Sequence, residues 1–205
     1  MADTNKQFDQ VTAKCRRIFI DKMADYGASW RIFRLHGISD QLYIKVKNIR
    51  QRQETGVSLV GDDIEGNLRA IVNYGVMAII QERKGYADGV DIPNDKAVEL
   101  YDEVLQEAKE LMLRKNHDYG EAWREMSKEG IVDMIMAKII RIKTILDHDG
   151  KTIASEGVEA ELLSEKVKKM DVAAFYCSPL GRAQATAKPT LWQSCFPSTT
   201  IWSGR

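Results

Sequence analysis

Proline is scarce in this 205-residue sequence, with none before Pro93 and none between Pro93 and Pro179. Because proline breaks helix interiors, both intervals are open to long helices. Cysteine is scarcer still: Cys15, Cys177 and Cys195 fit neither a paired disulfide framework nor a metal-ligand spacing, which leaves reduced thiols as the simplest state. An excess of one charge is also missing. Thirty Lys and Arg balance thirty Asp and Glu, so no overall basic field draws the chain to nucleic acid or to an anionic membrane. No apolar run approaches the roughly 18–20 residues that span a bilayer, and the opening residues carry no apolar secretory core. From these absences we expect a cytoplasmic chain with no membrane partner. What is present is a globular composition, 44% hydrophobic and 29% charged, enough for one generous domain or two small ones.

Hydrophobic spacing then selects the fold class. Ala97, Tyr101, Val104, Ala108 and Leu111 keep the 3-4-3 rhythm of one helix face, with Asn94 or Asp95 after Pro93 as the cap. Ile131, Ile135, Ile139, Ile142 and Leu146 repeat that rhythm, and the unbroken apolar run from Tyr74 to Ile80 belongs in a core. No segment sustains the alternation of a half-buried strand. Residues 1–160 therefore read as all-α.

An internal repeat organises them. Lys22, Asp25, Tyr26, Gly27, Trp30 and Arg31 recur 93 residues later as Lys115, Asp118, Tyr119, Gly120, Trp123 and Arg124. The same offset relates Ile38 to Ile131, Asp40 to Asp133, Lys45 to Lys138 and Ile49 to Ile142. After one inserted residue, Ile64, Glu65 and Leu68 match Val158, Glu159 and Leu162. Each unit reads as a helix, a DYGxxW turn, a lysine-bearing helix and a glycine loop; the first adds a buried helix through Asn73 and Tyr74. Side by side, two such units share a core about a pseudo-twofold axis. The expected division is 1–92 for the first repeat, 93–160 for a truncated second and 161–205 for an irregular or disordered tail.

Packing alone tolerates many aromatics at Trp30 and Trp123 and has little use for lysine at 22 and 115. A ligand contact thus competes with a purely structural turn. Lys45 and Lys138 lie among apolar neighbours, where an ammonium must reach solvent, a carboxylate or a bound anion. The nucleotide-binding candidates are Lys115, Tyr119, Trp123, Lys138 and Arg141 in the second repeat and Lys22, Tyr26, Trp30 and Lys45 in the first. Asp118, Glu156 and Glu159, with Asp25 and Glu65, are the candidate ligands for Mg²⁺, an ion that takes few carboxylates and fills its shell with water and phosphate oxygens. The ladder Glu99, Glu103, Glu107 and Glu110 reads as a solvated helix face, because its last two positions correspond to Lys14 and Arg17 in the first repeat. His36, His117 and His148 share no repeat equivalence and read as surface or loop residues.

The paired K-x-x-D-Y-G-x-x-W motifs, the K-x-x-x-I helix and the Glu65 to Asn73-Tyr74 element resemble the nucleotide modification associated domain 1 family, in its tandem bacterial form, over about residues 5–160. The resemblance implies a part in nucleotide modification. More distantly, the helical plan is similar to MazG-type pyrophosphohydrolases, which would imply Mg²⁺-dependent hydrolysis of a nucleoside triphosphate. Two residues depart from the family pattern in the first copy: Ala70 replaces an acid three residues before Asn73, and Asn48 stands where the second copy keeps Arg141. The second copy lacks the Asn-Tyr pair. On this comparison the second repeat is expected to bind a nucleotide better. The competing reading is a noncatalytic helical adaptor or an inactive truncated variant; a nucleic-acid-binding module is disfavoured by the zero formal charge. A homodimer is compatible with either.

From about Gly157 to Leu191, and above all in Ser178-Pro-Leu-Gly-Arg182, the sequence resembles a fragment of the histidine phosphatase superfamily. The superfamily's Arg-His-Gly segment is missing, so no phosphatase activity is expected. The simplest origin is a helical tandem protein truncated into a phosphatase-coding fragment.

Overall fold

A computed structural model of the chain describes residues 4–57, 63–151, 157–159 and 162. The described residues form five α-helices and no strand: α1 (Thr4–Tyr26), α2 (Leu35–Thr55), α3 (Ile64–Lys84), α4 (Asn94–Tyr119) and α5 (Lys128–Asp147). Short 3-10 turns at Ser29–Ile32 and Ala122–Glu125 carry the two tryptophans. None of these helices is long and apolar enough to cross a membrane. The tail from 163 onward, Cys177 and Cys195 included, and the candidate ligand Glu156 lie outside the described residues. Cys15 is buried and forms no disulfide.

The two repeats bury the same positions. On α1, Thr4, Phe8, Val11, Thr12, Cys15 and Phe19 face inward, and their counterparts Ala97, Tyr101, Val104, Leu105, Ala108 and Met112 do so on α4. On α2, Ile38, Ser39, Leu42, Val46 and Ile49 match Ile131, Val132, Ile135, Ile139 and Ile142 on α5. A helix buries one stripe, and the repeated stripe lets α1 pack on α4 and α2 on α5, each helix against its own counterpart.

Charges at the two contacts verify that symmetry. Arg16 on α1 pairs with Asp102 on α4 at 2.7 Å, and the repeat-equivalent Lys109 pairs with Asp9 at 2.6 Å. Lys143 on α5 reaches Asp40 on α2, while Arg50 reaches Asp133 at 3.7 Å. In a twofold contact, if residue i touches j, then j touches i; both contacts obey this rule. The bundle is therefore pseudo-twofold. Asp40 and Asp133, repeated carboxylates, serve the contact between repeats.

Both DYG turns close as the sequence implies. Gly27 and Gly120 each take φ 61°, a positive φ that glycine adopts without side-chain strain. Helix α3 breaks the symmetry. It packs on α1, α2 and α4, and Asn73 ties three helices together: its amide donates to the Cys15 carbonyl at 3.2 Å and its oxygen accepts from the Tyr101 hydroxyl at 2.7 Å. Tyr101 in turn stacks on Phe19, with ring centroids 4.4 Å apart. In the second repeat, Val158 and Leu162 are buried where Ile64 and Leu68 sit in the first, so residues 158–162 begin the corresponding element.

Candidate functional site

Helices α1 and α3, the first tryptophan turn and one lysine of α2 enclose a cavity of about 400 Å³. From α1 come Ile18, Phe19, Lys22, Met23 and Tyr26; from the turn region Gly27, Ser29, Trp30 and Phe33; from α2 Lys45. Helix α3 supplies Gly66, Asn67, Arg69, Ala70, Asn73, Tyr74 and Met77. All four nucleotide-binding candidates of the first repeat, Lys22, Tyr26, Trp30 and Lys45, thus meet at one cavity. Their spacing explains it. Lys22 and Tyr26 are one turn apart on α1 and share a face, and the left-handed Gly27 turns the chain so that Trp30 closes the end.

The lining is cationic and aromatic. Lys22, Lys45 and Arg69 contribute positive charge, and no Asp or Glu is among the lining residues. Glu65 stands beside the cavity and accepts an ion pair from Arg69, with Lys14 3.6 Å away. Burial raises the pKa of Tyr74, which keeps its phenol a hydrogen-bond donor. Trp30 is almost wholly buried, and its indole N–H donates to Met23 Sδ at 3.4 Å, so it acts as a wall. Tyr26, 66% exposed, is the solvent-facing aromatic of the lining.

Two side chains of the lining, Asn67 and Arg69, each bury one polar atom without a hydrogen-bond partner. Asn67 is 2% exposed; its amide nitrogen donates to Asn48 Oδ1 and to the Asp63 carbonyl, both at 3.0 Å, but its Oδ1 has no hydrogen-bond partner. Arg69 Nε is also buried and unpartnered. Such unpartnered groups cost about 1–3 kcal/mol each. Neither Asn67 nor Arg69 was visible in the repeat, because their counterparts are Glu161 and Leu163. The two departures from the family pattern also acquire roles here: Asn48 fixes the Asn67 amide, and the small Ala70 leaves the cavity open.

The second repeat is arranged differently. Trp123 is half-buried, with the Arg124 guanidinium carbon 4.2 Å from its ring centroid and its indole N–H buried without a partner. Tyr119 is 76% exposed. Lys115 and Lys138 are half-buried and Arg141 is exposed. The cavity described above lies in the first repeat, whereas the motif comparison favoured the second; the difference is α3, a wall whose counterpart is described only at 158, 159 and 162.

The carboxylates set aside for Mg²⁺ do not assemble. Asp25 is exposed at the end of α1, Asp118 contacts the neighbouring His117 at 3.1 Å, Glu65 is held by Arg69, and Glu159 shares Arg83 with Glu107. Among the described residues no group of three or more His, Cys, Asp or Glu could hold a metal ion. Glu107, on the glutamate-bearing face of α4, keeps its side chain 42% exposed and pairs with Arg83.

Residues 22–81 and 115–164 match the family model described as nucleotide modification associated domain 1, together more than half of the chain. The second segment runs to 164, so residues 157–164 belong to the second repeat, and nothing supports the histidine phosphatase resemblance begun there. No curated protein and no solved structure matches the chain.

Proposed function

The chain belongs to the nucleotide modification associated domain 1 family, and from that premise we propose that the cavity of its first repeat binds a nucleotide. The observation that carries this is the lining itself: three cations, no carboxylate and aromatic walls around about 400 Å³. That volume is within the range of about 300–1,000 Å³ usual for small-molecule sites. Phosphate oxygens match a cationic lining, and Lys22, Lys45 and Arg69 supply the charge-assisted hydrogen bonds. Base stacking on an aromatic ring tolerates any base, and Tyr26 and Tyr74 offer the rings.

Among the described residues no lining side chain is a carboxylate or a histidine, and the reading is one of binding. Titrating the full chain with nucleotides by calorimetry tests it. Ala70→Phe puts a ring into the cavity from a helix position that accepts it, and is expected to lower affinity at least about tenfold, the loss of one good interaction. Saturable binding unaffected by Ala70→Phe would move the ligand elsewhere. Absence of binding by the native chain would favour the adaptor reading.

A further inference from the structure

We infer, resting on the reading of this cavity as a nucleotide site, that the Tyr74 hydroxyl hydrogen-bonds the uncharged half of the ligand, a sugar hydroxyl or the base, and so sets which nucleoside the site accepts. Several polar atoms of the lining are already spent or sealed. The Trp30 indole N–H donates to Met23 Sδ, and the Asn73 amide is bonded to the Cys15 carbonyl and to Tyr101. Asn67 Oδ1 and Arg69 Nε, though unpartnered, are closed off even from water. Tyr26 and Ser29 are exposed, so water satisfies their hydroxyls. Tyr74 differs from all of these. It is a half-buried residue of the lining; its hydroxyl has no hydrogen-bond partner among the described residues, and that oxygen is not one of the sealed atoms. On α3 it lies one turn beyond Ala70 and one before Met77, all three on the face that lines the cavity. The phenol is thus a donor and acceptor that the cavity reaches and the protein leaves unused.

Its surroundings choose the part of the ligand it meets. Burial raises the Tyr74 pKa, with no neighbouring charge contributing. An ammonium or guanidinium within about 4–6 Å would draw it down, so the hydroxyl stands apart from Lys22, Lys45 and Arg69, the side chains that match phosphate. What remains of a nucleotide is uncharged: the sugar hydroxyls and the polar edge of the base. In a sheltered place such a bond discriminates, because a ligand lacking the partner atom leaves the phenol dry and unpaired.

The test compares the full native chain with Tyr74→Phe, which removes one oxygen atom and keeps the ring. Because that oxygen bonds nothing in the protein, the urea midpoint should not change. Both chains are titrated calorimetrically with the common ribonucleoside monophosphates and triphosphates, and the tightest binder should lose at least about threefold in the variant, the weight of one uncharged hydrogen bond. The phosphorus-31 resonances of the bound nucleotide should hold their positions. Its 2′-deoxy and 3′-deoxy analogues separate the two sources: a loss that vanishes with one of them places the contact on that sugar hydroxyl, and a loss that persists with both places it on the base. A variant that binds as tightly as the native chain overturns the inference while the nucleotide site stands. A shifted phosphorus-31 resonance, which puts the hydroxyl on phosphate, does the same, as does a lowered urea midpoint, which shows the hydroxyl bonded within the protein. Failure of every nucleotide to bind the native chain overturns the inference and the site together.

Discussion

Arg31→Met is expected to cost the fold about 3 kcal/mol, read as a lower urea midpoint at unchanged slope. Arg31 is 2% exposed. Its guanidinium donates to the Gly85 carbonyl at 2.7 Å, to Gln81 Oε1 and to both oxygens of Asp91. Gln81 returns the contact, donating to the carbonyls of Arg31 and Phe33 at 2.9 and 2.6 Å. Methionine fills much of the volume but leaves the buried Gln81 oxygen without its donor. The figure rests on that atom and on the lost packing of a buried guanidinium, because Gly85 and Asp91 are exposed and are resolvated. Arg124, the repeat equivalent, keeps its side chain 25% exposed and bonds Thr4, Gln7 and Glu121. Arg124→Met should therefore cost about 1 kcal/mol or less. Equal losses would show that burial of Arg31 is not what makes it structural.

Reversing both lysines at the cavity, Lys22→Glu with Lys45→Glu, is expected to weaken nucleotide binding by at least about 100-fold. Each charge-assisted hydrogen bond is worth about 1.5–3 kcal/mol, and the introduced carboxylates add repulsion to the phosphate. Both positions reach solvent, Lys22 fully and Lys45 in part, so the helices should form unchanged and the circular dichroism should match the native chain. The paired control, Lys115→Glu with Lys138→Glu, alters the same positions of the other repeat and is expected to change affinity less than about twofold. Similar losses in both variants would mean that general charge, rather than the first-repeat cavity, attracts the ligand.

The 93-residue offset made the fold legible before any coordinates. It named α1 with α4 and α2 with α5 as counterparts, and the reciprocal pairs Arg16–Asp102 and Lys109–Asp9 follow from it. It also picked Lys22, Tyr26, Trp30 and Lys45, which meet at one cavity. A repeat, however, points only to what both copies keep. Asn67 and Arg69 lie on α3, where the copies diverge, so their unpartnered atoms left no trace in the pattern. The preference for the second repeat rested on that divergence: Asn48 and Ala70 look like losses in a motif, whereas in the structure Asn48 accepts from the Asn67 amide and Ala70 lines the cavity. Arg31 is a further case: one conserved-looking letter pair, Trp-Arg, hides one arginine sealed by Gln81 and another over a tryptophan ring.

The most direct test of the central claim is a nitrogen-15 correlation spectrum of the full chain, titrated with the tightest-binding nucleotide and read at the assigned indole N–H signals of Trp30 and Trp123 and the side-chain amide of Asn67. The two tryptophans occupy equivalent places in the repeats, so each serves as control for the other. A first-repeat site moves the Trp30 and Asn67 signals along one saturation curve and leaves Trp123 in place. Movement of Trp123 with Trp30 and Asn67 unchanged would contradict it.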